Sequence, residues 1–190
     1  DELKDFILKL GESLPAGEYD QPQPGVWVAK SAKVAPTALL GAPCIIGPEA
    51  EVRHCAFIRG SALVGVGAVV GNSVELKNCI LFDGAQVPHF NYVGDSILGC
   101  KAHLGAGAVT SNLKSDKSLV VIKNGGEQLP TGRKKLGALV GDGAEVGCNS
   151  VLCPGSVLGR SCQVYPTSCV RGVVPAGHIY KGPGNLAKRV

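Results

Sequence analysis

Aliphatic side chains recur along most of this chain at intervals of six residues. Four places after each of the early ones comes a small residue, most often alanine. The first run comprises Val28, Val34, Leu40, Ile46, Val52, Ile58, Val64, Val70 and Leu76, with Phe82 closing it. Later runs comprise Leu98, Leu104 and Thr110, and then Val140, Val146, Leu152, Leu158, Val164 and Val170. A fixed short period of this kind is the signature of a solenoid.

Six residues are too many for a hairpin turn and too few for a pair of helices, but three such units make a coil that returns above its start. Each short strand then pairs with its counterpart in the next coil about 4.8 Å away. The aliphatic side chains fill a triangular prism, and because one coil buries little by itself, stability comes from stacking. We therefore predict an all-β fold, a parallel β-helix of hexapeptide repeats, over residues 25–190.

The N-terminal segment, residues 1–24, follows a different pattern. Apolar residues stand at helical spacing, which predicts one short amphipathic helix; they are Leu3, Phe6, Ile7, Leu10 and Leu14. The proline-rich stretch from Gln21 to Gly25 then ends the helix. We expect this segment to form a helix and a linker, with the helix packed on the prism or capping its open end.

The repeat is interrupted twice. After Phe82 the next repeat residue is Leu98, so the register slips by four, and His89 lies within this slip. The second interruption covers about residues 113–137 and predicts an extended loop or arm. It contains the basic concentration of the chain: Lys114, Lys117, Lys123, Arg133, Lys134 and Lys135. A solenoid tolerates insertions where they loop outward, so both breaks mark surfaces where function can be added.

Composition narrows the classes of function. The chain has 190 residues, 45% of them hydrophobic, and 27 glycines, which suits one domain with many tight corners. A net charge of +4 without a broad basic stripe disfavours nucleic-acid binding. Because neither a secretory signal nor an apolar stretch of about 18 residues is visible, we expect a cytoplasmic protein that does not bind membranes. The eight cysteines include no Cys-x-x-Cys pair, so we expect thiols and no metal.

Three stretches of the sequence resemble a known family. They are Gly71-Asn72-Ser73-Val74-Glu75-Leu76-Lys77-Asn78, His89-Phe90-Asn91-Tyr92-Val93-Gly94-Asp95 and Leu104-Gly105-Ala106-Gly107-Ala108-Val109-Thr110-Ser111-Asn112. They are similar to the acetyltransferase domain of bifunctional N-acetylglucosamine-1-phosphate uridyltransferases. They are closer still to archaeal-type sugar-1-phosphate nucleotidylyltransferases with acetyltransferase activity, which also resemble the chain at residues 131–137. The resemblance implies a left-handed β-helix.

The resemblance also implies residue roles. His89 corresponds to the catalytic histidine of the family, and Asn112 to an asparagine near the acetyl group and the amine. The residues that correspond to contacts of the sugar and its phosphate are Arg59, Lys77, Tyr92 and Lys117, the last with a spacing that differs by about one residue. Gly105, Ala106 and Gly107 fall near the pocket for acetyl-CoA, the expected acyl donor. His103 and Leu113 depart from the family pattern, since they replace an asparagine and a tyrosine.

The function implied is acetyl-CoA-dependent N-acetylation of an amino-sugar-1-phosphate, glucosamine-1-phosphate or galactosamine-1-phosphate, in nucleotide-sugar biosynthesis. The resemblance further implies a homotrimer, and a separate nucleotidylyltransferase as a partner because this chain does not include that domain. Two alternatives remain open. One is a non-catalytic sensor or scaffold for a sugar phosphate or nucleotide sugar. The other is a γ-type carbonic anhydrase, disfavoured because His89 and His103 are much further apart in the sequence than the two neighbouring metal ligands of that family.

Overall fold

The computed structural model describes residues 2–189, and most of them lie in short strands. The helix α1 (Glu2–Glu12) comes first. The strands follow in chain order: β1 (Tyr19–Gln23), β2 (Val26–Ala29), β3 (Lys33–Val34), β4 (Leu39–Leu40), β5 (Cys44–Ile46), β6 (Glu51–Val52), β7 (Phe57–Ile58), β8 (Ala62–Val64), β9 (Val69–Asn72), β10 (Glu75–Leu81), β11 (Gln86–His89), β12 (Tyr92–Leu98), β13 (His103–Leu104), β14 (Val109–Thr110), β15 (Val121–Asn124), β16 (Glu127–Pro130), β17 (Ala138–Val140), β18 (Glu145–Val146), β19 (Val151–Leu152), β20 (Ser156–Leu158), β21 (Gln163–Val164), β22 (Cys169–Val170), β23 (Val173–Val174), β24 (His178–Gly182) and β25 (Asn185–Lys188).

Parallel pairing between coils arranges these strands in three faces. The first face contains β2, β5, β8, β17, β20 and β23, together with the C-terminal halves of β10 and β12. The second face runs from β3 through β6, β9, β11, β13, β18 and β21 to β24. The third face contains β4, β7, β14, β19 and β22 with the N-terminal halves of β10 and β12. This arrangement confirms the predicted parallel β-helix with an N-terminal helix.

The coils differ in length, and this corrects the predicted repeat. Cys44 pairs with Ala62 across a regular coil of three hexapeptides. Ala62 then pairs with Cys79, and Cys79 with Ser96, and each of these two coils is shorter by a single residue. The predicted slip after Phe82 is therefore not one break: it arises from two single deletions, both where the chain turns from the third face to the first. There β10 and β12 continue around the corner as unbroken strands.

Phe82 was wrongly placed at the end of the first aliphatic run. Leu81 fills that position and is fully buried, whereas Phe82 is 45% exposed. Val87 and Val93, which the periodicity did not include, are also fully buried members of the same series. The core is otherwise the predicted stack of aliphatic and small side chains, and stacking of this kind removes apolar surface from water coil by coil.

Antiparallel strands and the helix cover the ends and one side of the prism. β1 pairs with β2 in an antiparallel manner, so part of the expected proline-rich linker is a strand at the first coil. At the other end β25 folds back on β24. Helix α1 packs on β5 and β8 of the first face, with Ile7 fully buried and Gly11 directly under the Trp27 ring.

The second interruption forms an arm, residues 113–137. Its strands β15 and β16 make an antiparallel hairpin, and a bridge between Leu113 and Lys135 closes its base. The amide of Leu136 donates to the carbonyl of Asn112 at 3.0 Å, so the chain leaves and re-enters the coil at adjacent points. The arm therefore leaves the prism beside the turn from the third face to the first.

Candidate active site

His89 lies at the turn from the second face to the third, which we call the histidine corner (His89–Asn91). Its side chain is exposed, and its imidazole has no hydrogen-bond partner within residues 2–189. Phe90 has a φ of 53°, and the buried Asn91 side chain holds the turn. The Asn91 amide donates to the carbonyls of Gly105 (2.8 Å) and Ala108 (3.0 Å), and its oxygen accepts from the His89 amide at 3.1 Å. The imidazole is thus carried by a fixed backbone.

The corner Gly105–Gly107 lies on the next coil, directly beside the histidine corner. Gly107 donates its amide to the carbonyl of His89 at 3.0 Å, and Gly105 donates to Val146 at 2.7 Å. These two amides are therefore committed to the fold and are not available for a ligand. The amide of Ala106, between them, has no acceptor in the described part of the chain. Successive coils are about 4.8 Å apart, so this amide lies close to His89.

A cavity of about 270 Å³ extends from this corner over the second face. Its lining is mostly apolar and includes Gly105, Val146, Cys148 and Val164, with the hydrogen bond between His103 and Glu145 (2.7 Å) at its edge. A Cβ on Gly105 would lie 2.7 Å from the amide nitrogen of Cys148, so glycine is required there by stacking. The cavity is an apolar slot, and the amide of Ala106, the residue after Gly105, is a hydrogen-bond donor beside it.

Charged side chains collect at the turn from the third face to the first, which we call the cationic corner (Arg59, Lys77 and Asp95). Arg59 donates to the Glu75 carboxylate at 2.8 Å, and this bond raises the pKa of the guanidinium further. Lys77 lies 3.3 Å from Asp95, whose side chain is only 8% exposed. Asn78 also donates to Asp95, at 2.7 Å. The two shortened coils bring these groups together, since Asn78 and Asp95 occupy the same corner of successive coils.

Tyr92 and Asn112 extend the cationic corner along the third face. The Asn112 amide donates to the Tyr92 hydroxyl at 3.1 Å and also makes a short contact with Asp95. Four of the predicted site residues, Arg59, Lys77, Tyr92 and Asn112, are thus connected directly or through Glu75 and Asp95. Lys117 is not among them: it is exposed on the arm, with a φ of 57°, and no described contact joins it to the corner.

The histidine corner and the cationic corner lie at opposite edges of one coil face. Only two residues separate His89 from Tyr92, and at about 3.3 Å per residue their Cα atoms are at most about 10 Å apart. Tyr92 begins the third face, and its hydroxyl accepts from Asn112 at 3.1 Å, so this side chain connects the histidine corner to the cationic corner. The structure groups the predicted residues as His89 with Gly105–Gly107, and as Arg59 and Lys77 with Tyr92 and Asn112.

The other histidines have structural partners. His54 lies at the same turn of the prism as His89, on an earlier coil, and its imidazole is 2.6 Å from the Thr37 hydroxyl. The imidazole of His178 lies 2.8 Å from the carbonyl of Ala176. Within residues 2–189, no three side chains of the metal-binding types form a group suited to a metal ion. The one described helix is too short to cross a membrane.

Several polar residues that the structure places here had no predicted role. Asn91, Glu75, Asn78 and Asp95 stood within the quoted motifs, and the equivalence of Asn78 and Asp95 in successive coils is a signal once the coil length is known. Lys4 carried no signal at all, because only the docking of α1 brings it to the cationic corner, where it lines a cavity with Arg59 and Lys77.

Comparisons with known proteins confirm the predicted resemblance. The family model described as GMPPB C-terminal domain matches residues 41–124. A bifunctional sugar-1-phosphate nucleotidylyltransferase/acetyltransferase from Sulfurisphaera tokodaii is 34% identical over 101 residues, 53% of this chain and 25% of that protein. The bifunctional protein GlmU from Chromobacterium violaceum is 28% identical over 177 residues, 90% of this chain and 34% of that protein. The chain thus spans about a quarter to a third of these relatives.

Solved structures with related folds show weaker similarity. An N-acyltransferase AntD mutant from Bacillus cereus, in complex with dTDP and coenzyme A, is 16% identical with a TM-score of 0.43; the match covers 87% of this chain and 82% of that chain. The acetyltransferase domain of PglB from Neisseria gonorrhoeae, in complex with acetyl coenzyme A, is 14% identical with a TM-score of 0.34. That match covers 82% of this chain and 53% of the other.

Proposed function

We propose that this chain is an acetyl-CoA-dependent N-acetyltransferase acting on an amino-sugar-1-phosphate. The observation that carries the proposal is the arrangement along one coil face, with an unpartnered imidazole at one edge and Arg59, Lys77, Tyr92 and Asn112 at the other. Sequence similarity to proteins named as sugar-1-phosphate nucleotidylyltransferase/acetyltransferases supports the same reaction.

The histidine corner has the groups that amide formation requires. The acceptor amine attacks the thioester carbonyl, a C–N bond forms, the C–S bond breaks, and the CoA thiol leaves. His89 takes the proton from the amine and returns one to the departing sulfur, a task suited to a side chain whose unperturbed pKa is about 6.5. The Ala106 amide is the available donor for the carbonyl oxygen as it becomes negative, and one such donor is worth about 2.7–4 kcal/mol in acyl transfer.

The apolar cavity beside Gly105 suits the pantetheine arm of acetyl-CoA. The cavity continues from Gly105 over the second face past Val146 and Val164, and in this proposal the thioester carbonyl lies at the neighbouring Ala106 amide. In this proposal the acetyl group and the amine lie over the third face, between His89 and Asn112. In this proposal Gly105 and Gly107 serve to hold the corner, and Ala106 supplies the contact.

The cationic corner suits the sugar phosphate. Arg59 and Lys77 present guanidinium and ammonium donors, which form strong charge-assisted bonds to phosphate oxygens. In this proposal Tyr92, whose hydroxyl accepts from Asn112, contacts the sugar ring between phosphate and amine. Lys117 lies on the arm, so a role for it in phosphate binding requires the arm to approach the corner.

The proposed assembly is a homotrimer in which neighbouring prisms share the acetyl-CoA site. The proposed location is the cytoplasm, where acetyl-CoA is available. The N-acetylated sugar-1-phosphate formed in this reaction is a substrate for a nucleotidylyltransferase. The expected mass in solution is three times the 19.5 kDa of one chain.

The test is release of CoA thiol from acetyl-CoA on addition of glucosamine-1-phosphate or galactosamine-1-phosphate. His89→Ala should lower kcat by at least about 100-fold, the lower range for a lost general base. His178→Ala is the matched control, because His178 lies in β24, away from both corners, and should keep full activity. Acceptor-independent release, or full activity of His89→Ala, contradicts the proposal. Binding of the sugar phosphate without any release favours the sensor alternative.

A further inference from the structure

The phosphate side of the proposed site includes a third cation that comes from the N-terminal helix. A cavity of about 210 Å³ opens at the cationic corner, and Lys4 of α1 is part of its wall. The remaining lining residues are Ala42, Pro43, Arg59, Gly60, Ser61, Lys77 and Asn78. Three cationic side chains from three separate segments of the chain thus line one small cavity.

Two of the three cations in this cavity have an acidic partner, and the third does not. Arg59 is paired with Glu75 at 2.8 Å, and Lys77 with Asp95 at 3.3 Å, so each of these pairs is neutral overall. Lys4 makes no ion pair or hydrogen bond to any residue of 2–189. Lys4 therefore gives the cavity its net positive charge, and a phosphate monoester carries about 1.5–2 negative charges at neutral pH.

Packing fixes the helix that carries Lys4. Ile7, one turn further along α1, is fully buried against the first face, and Gly11 is held under Trp27. Glu2 is bound by Arg133 of the arm at 3.2 Å. Residues three apart lie on the same side of a helix, so the burial of Ile7 turns Lys4 toward the prism. The long Lys4 side chain can move its ammonium group, but the packing of α1 holds the Lys4 backbone in place.

Small residues on the opposite wall leave room for a phosphate group. A Cβ on Gly60 would overlap the carbonyl oxygen of Ala42, so this wall cannot accept a larger side chain. The Ser61 hydroxyl makes no hydrogen bond within the described chain and can donate to an anion. Phosphate oxygens favour several donors at once, and lysine, arginine and serine supply them from different directions.

We infer that Lys4 is a phosphate-binding residue, and that α1 completes the anion subsite for the acceptor. The inference rests on the proposed function for the identity of the acceptor. It extends that function by making the N-terminal helix part of the subsite that binds the phosphate monoester.

The experiment compares Lys4→Ala with Lys9→Ala in the 190-residue chain. Lys9 is on the same helix but does not line the cavity, so it is the matched control. For Lys4→Ala the KM of the amino-sugar-1-phosphate should rise about ten-fold, as expected for loss of one charge-assisted bond, while kcat stays within about two-fold. The KM for the same amino sugar without its phosphate should not change. An unchanged KM for the phosphorylated acceptor overturns the inference.

Equilibrium binding separates this inference from the proposed function. Glucosamine-1-phosphate is titrated into the wild type and both variants without acetyl-CoA, and melting temperatures check that all three are folded. Ten-fold weaker binding by Lys4→Ala supports the inference even if no acetyl transfer is found. Equal affinity in the wild type and Lys4→Ala, or no binding to the wild type, overturns it. Transfer by the wild type with unaltered kinetics in Lys4→Ala overturns the inference and leaves the function standing.

Discussion

The side chain of Asn91 holds the histidine corner in its conformation. It is 2% exposed and satisfies three backbone groups, the carbonyls of Gly105 and Ala108 and the amide of His89. Buried backbone groups without partners are costly, so the asparagine stabilises two neighbouring coils at once. Because Asn91 also holds the backbone of His89, the stability of these coils and the position of the imidazole depend on the same residue.

Asn91→Ala is expected to lower the free energy of unfolding by about 2–4 kcal/mol, because it leaves buried donors and acceptors unpaired. Denaturant titration measures this loss. Asn124→Ala is the control, since Asn124 is exposed in the hairpin and its side chain has no described partner. A loss below about 1 kcal/mol for Asn91→Ala would show that water replaces the amide at this corner.

At the residue scale, sequence reasoning found the groups that belong to motifs and missed those that support them. His89, Tyr92 and Asn112 were identified because the resemblance quotes their neighbours in order. Asn91 and Asp95 stood in the same motifs, but their roles depend on which coil lies beside them. Lys4 could not be identified, because no local pattern encodes where a helix docks on a distant corner.

At the scale of the element, the length of the coils decides which residues meet at the cationic corner. Regular coils give way to two coils that are each shorter by a single residue, and the missing residue is always at the turn where Lys77 and Asp95 lie. The hexapeptide pattern predicted the faces correctly but placed Phe82 in the core. Leu81 and Phe82 are adjacent and both apolar, so either can be assigned to the repeat position. The six-residue pattern therefore cannot distinguish one slip of four residues from two deletions of one residue each.

Gly71→Ala tests whether close stacking of coils positions His89. A Cβ at this position would overlap the backbone of Pro88, the residue before His89, so the two coils must separate. We expect a loss of at least about 2 kcal/mol in the free energy of unfolding, as for overpacking, and reduced acetyl transfer. Gly126→Ala is the matched control, because nothing lies within 4 Å of a Cβ there. Equal stability of the two variants would contradict the described stacking.

At the scale of the whole molecule, the reactivity of the cysteine thiols can test both the packing of the prism and the proposed acetyl-CoA site. Four cysteines are buried, and burial raises the pKa of Cys44 and Cys79 to about 12. The exposed ones are Cys55, Cys100, Cys148 and Cys169. Because the thiolate is the reactive form, buried thiols with raised pKa stay protonated and inert well above pH 8.

We therefore expect an aromatic disulfide reagent at pH 8 to modify the four exposed thiols of the native chain, and all eight after unfolding. Saturating acetyl-CoA should protect Cys148, which lines the cavity beside Gly105. Cys100 is the internal control, because it lies on the corner between the first and second faces and should stay reactive. Mass spectrometry of the labelled peptides distinguishes the sites. Protection of Cys100 but not Cys148 would place acetyl-CoA elsewhere.

The overall fold could be predicted from the sequence, because each coil repeats the same apolar pattern and stacking of coils buries those apolar side chains. The path of the arm was not, since residues 113–137 have no repeat, and their hairpin is set by contacts with later coils. Val120, for example, is fully buried beside Gly155. The pairing of a charged corner with a histidine corner on one face also depends on coil length.

Transfer of an acetyl group to the nitrogen of an amino-sugar-1-phosphate is tested most directly by locating that group in the product. The protein is incubated with acetyl-CoA carrying a ¹³C-labelled acetyl group and with glucosamine-1-phosphate or galactosamine-1-phosphate, and the product is examined by mass spectrometry and NMR. We expect one labelled amide on the sugar nitrogen for each CoA released, with the phosphate still attached. An acetyl ester on a hydroxyl group, or no acetylated sugar phosphate from the folded protein with either acceptor, would contradict the proposed function.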